Sequence, residues 1–439
     1  MTAVIYTLGV VFFFVGLMTS IALHEVGHMW PAKKFGIKVT EYFVGFGKRL
    51  WSVRRGETEY GLKAIPLGGY VKLVGMLPPA ARDEGIDPDH PQRVRASNTG
   101  MFTQLVADAR AAEYEKVGPG EQDRLFYRRP WWQKLIVMSG GPLVNVAIAT
   151  VLFALLIMVI GGPGAPTTTV DTVSDCVIAA DRTEQTCQQG DPASPAAIAG
   201  LQPGDTITAF NGTEVTGWDQ LTGLIRSNDN GSARIEVERD GQTLLLRTNT
   251  TVSPRASLDD PDTFTEVGFL GVGPTQPIVR GGPADVASTM GRLAKLTGAA
   301  MLDLPAKMVG VARAAVGAER EQDSPMSVVG ASRVAGELVS DEQNPWRTRF
   351  SQVIGLLASV NLFIALFNFL PILPLDGGHI AGALYEALRR GWARLRGRPD
   401  PGYFDIARLL PLAYGFAMVL IVMGVLLVWT DIVNPVRLE

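Results

Sequence analysis

About twenty mainly apolar residues open the chain and end in His24-Glu25-Val26-Gly27-His28. From Ala3-Val4-Ile5 to Ile21-Ala22-Leu23 the run carries no charge. It is long enough to cross a bilayer as a helix. Positions four apart share a helix face, so His24 and His28 can present both imidazoles to one metal ion. Glu25 falls beside that ion and can take a proton from a bound water. Two histidines, a carboxylate base and an open position make up the zinc hydrolase arrangement. Ionisable groups at membrane depth are costly and mark function. Met1-Thr2-Ala3-Val4-Ile5-Tyr6 holds no basic residue, and no small-residue cleavage site precedes the histidines. The run therefore reads as a retained span over roughly 3–31, not a signal peptide.

Composition agrees with a membrane chain. Of 439 residues, 47% are hydrophobic, and the mean hydropathy of +0.17 is high for a soluble protein. That length predicts two or three domains. A net charge of -3 leaves no electrostatic footprint for nucleic acid. With only Cys176 and Cys187 present, neither a cysteine zinc site nor a disulfide framework is available.

Residues 38–76 alternate short β-prone runs with glycines and charged turns, which predicts hairpins. They are too polar to span a membrane but can form a re-entrant sheet lining the site; the plainer reading is a cytoplasmic hairpin. Residues 77–128 read as a polar linker, with His90 a solvated loop histidine. Phe126-Tyr127-Arg128-Arg129-Pro130-Trp131-Trp132 reads as an aromatic and basic collar at a bilayer surface. A second span over roughly 135–161 contains Gly140-Gly141-Pro142 and Asn145. The small residues allow close helix contact, and Asn145 is either a helix-packing hydrogen bond or a functional polar group.

Residues 165–275 change character, with short strands and almost no lysine. A short helix turns at Gly200, a strand runs from Thr206 to Phe210, and Asn211-Gly212 makes a hairpin. A helix around Trp218 to Arg226 and strands at 233–238 and 243–249 follow. This stretch resembles a PDZ domain, which binds an extended peptide along a sheet edge. Cys176 and Cys187 lie in its early part and can pair if it is outside the cell. Apolar residues at helical spacing over 283–318 predict amphipathic helix, and 319–349 returns to polar. A third span over about 352–375 ends in Pro374-Leu375-Asp376-Gly377-Gly378-His379. The prolines break or kink the helix and the glycines allow close backbone approach, so Asp376 is the natural third zinc ligand. His379 is either a partner of Asp376 or an interfacial residue. The fourth span covers roughly 406–429.

Lys and Arg are rich in 31–134 and 387–402, while 162–350 is poor in lysine and carries acid. By the positive-inside rule the first two segments are cytoplasmic and the PDZ-like region is outside. His24, His28 and Asp376 then all fall near the cytoplasmic face.

The chain resembles the site-2 protease family of intramembrane zinc metalloproteases. It is similar to the bacterial regulator-of-sigma-E protease branch, in an actinobacterial form with one PDZ domain. The resemblance rests on His24-Glu25-Val26-Gly27-His28, Gly61 through Val71, Gly141-Pro142-Leu143-Val144-Asn145, and Asn368 through Gly378. Pro374 stands one place later than in the commonest family pattern, while the Asn368-to-Asp376 separation is unchanged. The resemblance implies cleavage of a transmembrane helix, such as an anti-sigma factor or a remnant signal peptide already trimmed outside. The substrate-binding set is then Asn368, Asn145, Gly68, Gly69 and Tyr70, with the hairpins taking an unwound substrate as an added strand.

The expectation is a polytopic α-helical membrane protein in the bacterial cell membrane, with four spans, a re-entrant β-hairpin region and an inserted extracytoplasmic PDZ-like domain. Its segments are 1–37, first span; 38–76, hairpins; 77–134, cytoplasmic loop; 135–164, second span; 165–275, PDZ-like domain; 276–349, amphipathic helices and linker; 350–386, third span; and 387–439, basic loop, fourth span and C-terminus. One Zn2+ is held by His24, His28 and Asp376, and Glu25 is the general base. A membrane zinc transporter and a PDZ-bearing scaffold with a dead site are the rival readings. A transporter needs ligands strung along a path, and a scaffold has no need of Glu25.

Overall fold

The structure, a computed structural model, describes residues 2–78, 120–178, 182, 186–257, 263–342 and 344–436. They divide into two compact units, one formed by 1–160 with 281–439 and the other by 161–280. His90 lies outside the described residues.

The first unit begins with helix α1 (Thr2–Lys34), which carries the H-E-x-x-H stretch near its end. Strands β1 (Val39–Arg55) and β2 (Thr58–Leu73) follow. Residues 41–44 pair with 69–72 on one flank and with 59–62 on the other. Residues 49–55 pair in turn with 58–63. The two long strands thus double back into a sheet of four runs, with 69–73 at one edge. Tyr42 ties this sheet to α1 by donating its hydroxyl to the Ala22 carbonyl at 2.8 Å.

Helix α2 (Trp131–Ala154) packs on α1 through glycines. A Cβ on Gly140 would lie 2.0 Å from the Gly27 carbonyl oxygen, so only glycine lets the backbones meet there. The collar before α2 is only partly at the surface. Phe126 and Tyr127 are buried, Phe126 with Ile37, Val39 and Leu73, while Trp131 and Trp132 stay exposed.

The second unit starts with short strands β3 (Gly162–Pro163) and β4 (Val170–Val173) and helix α3 (Pro195–Ala199). Its main sheet has the order β6-β5-β7-β8, built from β5 (Thr206–Phe210), β6 (Thr213–Glu214), β7 (Ser232–Arg239) and β8 (Gln242–Asn249). Helix α4 (Trp218–Arg226) buries Leu221 and Ile225 with Ile207, Phe210, Ile235 and Val237. Strands β9 (Thr251–Ala256) and β10 (Phe264–Phe269) pair together, β11 (Val272–Pro274) pairs with β4, and β12 (Ile278–Val279) pairs with β3. Cys176 and Cys187 are disulfide-bonded, their Cα atoms 5.9 Å apart.

The chain re-enters the first unit with α5 (Pro283–Ala314), α6 (Val328–Ser340), α7 (Trp346–Asn368), α8 (Asp376–Leu395) and α9 (Leu410–Val433). Three sequence expectations change here. The stretch 319–349 is not simply a polar linker. It contains α6, which buries Gly330, Ser332, Val334, Ala335 and Gly336. A Cβ on Gly9 of α1 would lie 2.9 Å from the Ala335 carbonyl oxygen, so small residues make a close contact that hydropathy does not register. The third span ends at Asn368, not 375, because Pro371 and Pro374 cannot continue it; the Leu373–Pro374 bond is cis. Asp376 therefore opens a new helix, and the basic stretch after 387 is helical to Leu395, its arginines being good helix formers. Among the described residues, four helices are long and apolar enough to cross a membrane: Thr2–Lys34, Trp131–Ile160, Trp346–Asn368 and Ile406–Val433.

Candidate metal centre

His24 and His28 lie one turn apart on α1 and are both buried. His24 Nε2 and His28 Nε2 are 3.2 Å apart, and each is 3.3 Å from Asp376 Oδ2. Ligands about 2.0–2.1 Å from a tetrahedral zinc are separated by about 3.3 Å, so the triangle has the size such an ion requires. Hydrogen bonding accounts for it less well. Asp376 Oδ2 is buried and accepts no well-directed hydrogen bond, despite both rings being near. His28 Nδ1 lies 2.8 Å from the Val137 carbonyl. Donation of an Nδ1 proton there leaves the Nε2 lone pair free to ligate.

Each corner of the triangle has a local cause. The helical period aligns the histidines. Gly141 of α2 sits against them, for a Cβ there would lie 2.2 Å from His28 Nε2 and 2.6 Å from His24 Nε2. Asp376 is delivered by the tight 369–375 turn, which folds so closely on α8 that a Cβ on Gly377 would lie 2.1 Å from the Leu370 carbonyl oxygen.

The triangle opens onto a cavity of about 480 Å³. Glu25 is in its wall, as are Asn145, Asn368, Gly68, Gly69 and Tyr70. Gly69 is close to Glu25: its Cβ would lie 3.1 Å from Glu25 Cγ. Tyr70 donates its hydroxyl to Glu41 at 2.8 Å and accepts from Lys63 at 2.8 Å, so its ring is held in place, stacked on Phe43 and Phe46. Asn145 is fully buried, and neither atom of its amide has a hydrogen-bond partner among the described residues. A helix-packing bond therefore does not explain it. His379, partly buried, also lines the cavity. Sequence reading left it open; its spacing from Asp376, three positions along a helix, was the available signal.

A profile of Peptidase family M50 matches residues 12–398, most of the chain. The chain belongs to peptidase family M50. Among M50 relatives, the "Zinc metalloprotease Rip1" of Mycobacterium tuberculosis (strain H37Rv) is 35% identical over 445 residues, covering 99% of both chains. A protein of the same name from Mycolicibacterium smegmatis is 33% identical, again over 99% of both. "Zinc metalloprotease RasP" of Shouchella clausii is 26% identical, over 93% of this chain and 95% of its own. Together with its four long apolar helices, M50 membership makes this a multi-pass membrane peptidase.

Proposed function

We propose that the chain is an intramembrane zinc metalloprotease that cuts the transmembrane segment of membrane proteins. The observation that carries this is the triangle of His24, His28 and Asp376, with Glu25 on the same helix turn at the cavity wall. These three residues would hold the zinc. When bound, zinc supplies Lewis acidity that activates a water and polarises the scissile carbonyl. Glu25 accepts a proton from the attacking water and passes it to the leaving amine nitrogen. Asn145 and Asn368 hold the substrate backbone or the developing oxyanion; the unpartnered amide of Asn145 supports that role.

A helical peptide bond is shielded by its own hydrogen bonds, so the substrate must unwind first. The edge run 69–73 lies at the cavity with no described strand on its outer side, which suits capture of an unwound segment as an added strand. Phe46, Leu50, Trp51, Leu62 and Ile65 are exposed apolar residues of the same sheet. They support a re-entrant sheet dipping into lipid. The 161–280 unit is a PDZ-like domain on the extracytoplasmic side, with the metal near the cytoplasmic face; the lysine and arginine distribution supports this orientation. The substrates are of anti-sigma factor or remnant signal peptide type, and the PDZ-like unit screens them by size. Ligand atoms within 3.3 Å of one another count against a transporter path, and Glu25 at the cavity wall counts against a dead scaffold.

The test is cleavage of a single-span substrate in proteoliposomes, with product ends mapped by mass spectrometry. The proposal requires a cut inside the span, loss of the cut on chelation and its return with zinc. A cut outside the span, or one indifferent to chelation, contradicts it.

A further inference from the structure

Helix α8 has two unlike sides. Ala383, Glu386 and Ala393 are buried, and Glu386 accepts from Lys134 of α2 at 2.8 Å. The opposite side is bare. Leu388 is 74% exposed, Trp392 59% and Leu395 84%, with Leu384 one turn earlier in the same row. Positions 384, 388, 392 and 395 recur at helical spacing and form a single apolar stripe. Arg394 and Arg396 are exposed on either flank, and Arg398 follows the helix end. The Arg396 guanidinium lies 4.4 Å over the Trp392 ring, so charge and apolar surface are held side by side.

The neighbouring spans say what covers this stripe. α7 ends at Asn368 and the last span begins at Ile406, so short connections tether both ends of α8 to the bilayer. A helix so tethered, apolar on its outer side and basic at the margins, has the composition of an interfacial membrane helix. We propose that the C-terminal half of α8 docks on anionic phospholipid. The stripe enters the acyl boundary, and Arg394, Arg396 and Arg398 take the headgroup phosphates. Asp376 is the first residue of the same helix, so the lipid contact also steadies the rod that carries it. Lipid docking itself does not depend on the metal.

Native mass spectrometry of the full-length protein, delipidated and then titrated with phosphatidylglycerol or phosphatidylcholine, tests this. In Arg394→Gln/Arg396→Gln/Arg398→Gln, phosphatidylglycerol should bind about tenfold more weakly or worse, with phosphatidylcholine binding unchanged. An Arg234→Gln/Arg247→Gln control, altering exposed arginines of the other unit, should behave as wild type. Undiminished phosphatidylglycerol binding in the triple variant overturns the proposal. So does an equal loss of both lipids. A wild-type dimer that Leu388→Ala/Trp392→Ala dissociates without changing lipid binding also overturns it, since the stripe would then belong to a second copy.

Discussion

Gly141 touches His28 so closely that a Cβ at that position would lie 2.2 Å from the ring's Nε2. The Nε2 edge of the histidine pair is thus walled by α2 backbone, and α2 is as much a part of the candidate metal site as α1. Gly141→Ala should push both rings off the triangle. Losing such support typically costs about 10–100-fold in metal affinity. Zinc retention against a competing chelator, measured beside thermal unfolding, checks this: affinity should fall with little change in melting temperature. Wild-type affinity would show that the rings do not depend on this wall.

Lys134 and Glu386 form a buried ion pair between α2 and α8, with Lys134 also 5.1 Å over the Tyr403 ring. Breaking a buried pair strands a charge and costs about 3–5 kcal/mol. Glu386→Gln should therefore lower the unfolding temperature clearly, whereas Lys134→Met/Glu386→Leu should recover part of the loss, because Arg390, 3.4 Å from Glu386, keeps Asp400 as a partner. A double variant as unstable as the single would mean that packing, not charge, sets the cost.

In the 161–280 unit, Asp205 is buried and accepts from Arg239 Nε at 2.6 Å and from the Gln202 backbone N–H at 2.8 Å. The Arg239 hydrogen bonds hold its carboxyl below the usual range, against the opposing effect of burial. Folding therefore favours the ionised form. The stabilisation is complete above the unfolded value of about 3.9 and is lost as pH falls through the lower folded value. Asp205→Asn should remove this acid-sensitive component. Melts from pH 3 to 7, read from a probe in this unit, should show a flatter profile for the variant; parallel profiles would assign the acid sensitivity elsewhere.

The legible parts of the fold were those with a local period or a local breaker. His24, Glu25 and His28 follow from one helical turn, and Asp376 from prolines that break or kink the third span beside two glycines; the new helix that opens at Asp376 was not legible. Gly141 was half legible: small residues announce a close helix contact without saying what is touched. Helix α6 was missed because Gly330, Ser332, Ala335 and Gly336 pack by size, which a hydropathy reading ignores. Helix α8 was missed beyond Glu386 because its arginines weighed as loop residues, though Leu384, Leu388, Trp392 and Leu395 carry the helical period. Pairing of residues 41–44 on both flanks was invisible, since it joins runs that are not consecutive in the chain, 59–62 on one side and 69–72 on the other.

Size screening by the 161–280 unit and recruitment of trimmed substrates by it predict opposite effects. If the unit screens, replacing 168–275 with a short linker should permit cleavage of untrimmed substrates and leave trimmed ones cleaved. If it recruits, the same deletion should slow cleavage of trimmed substrates. Matched trimmed and untrimmed substrates in membranes decide it, and unchanged discrimination between them would remove the screening role.

Three side chains are assigned to the metal and a fourth to the proton. Zinc content and cleavage, measured together on Glu25→Gln and Asp376→Ala, test this most directly. Glu25→Gln should keep one zinc per chain and lose about a hundredfold to ten-thousandfold in cleavage rate. Asp376→Ala should lose zinc and activity together. A zinc-free Glu25→Gln protein, or a fully loaded Asp376→Ala protein, would contradict the assignment.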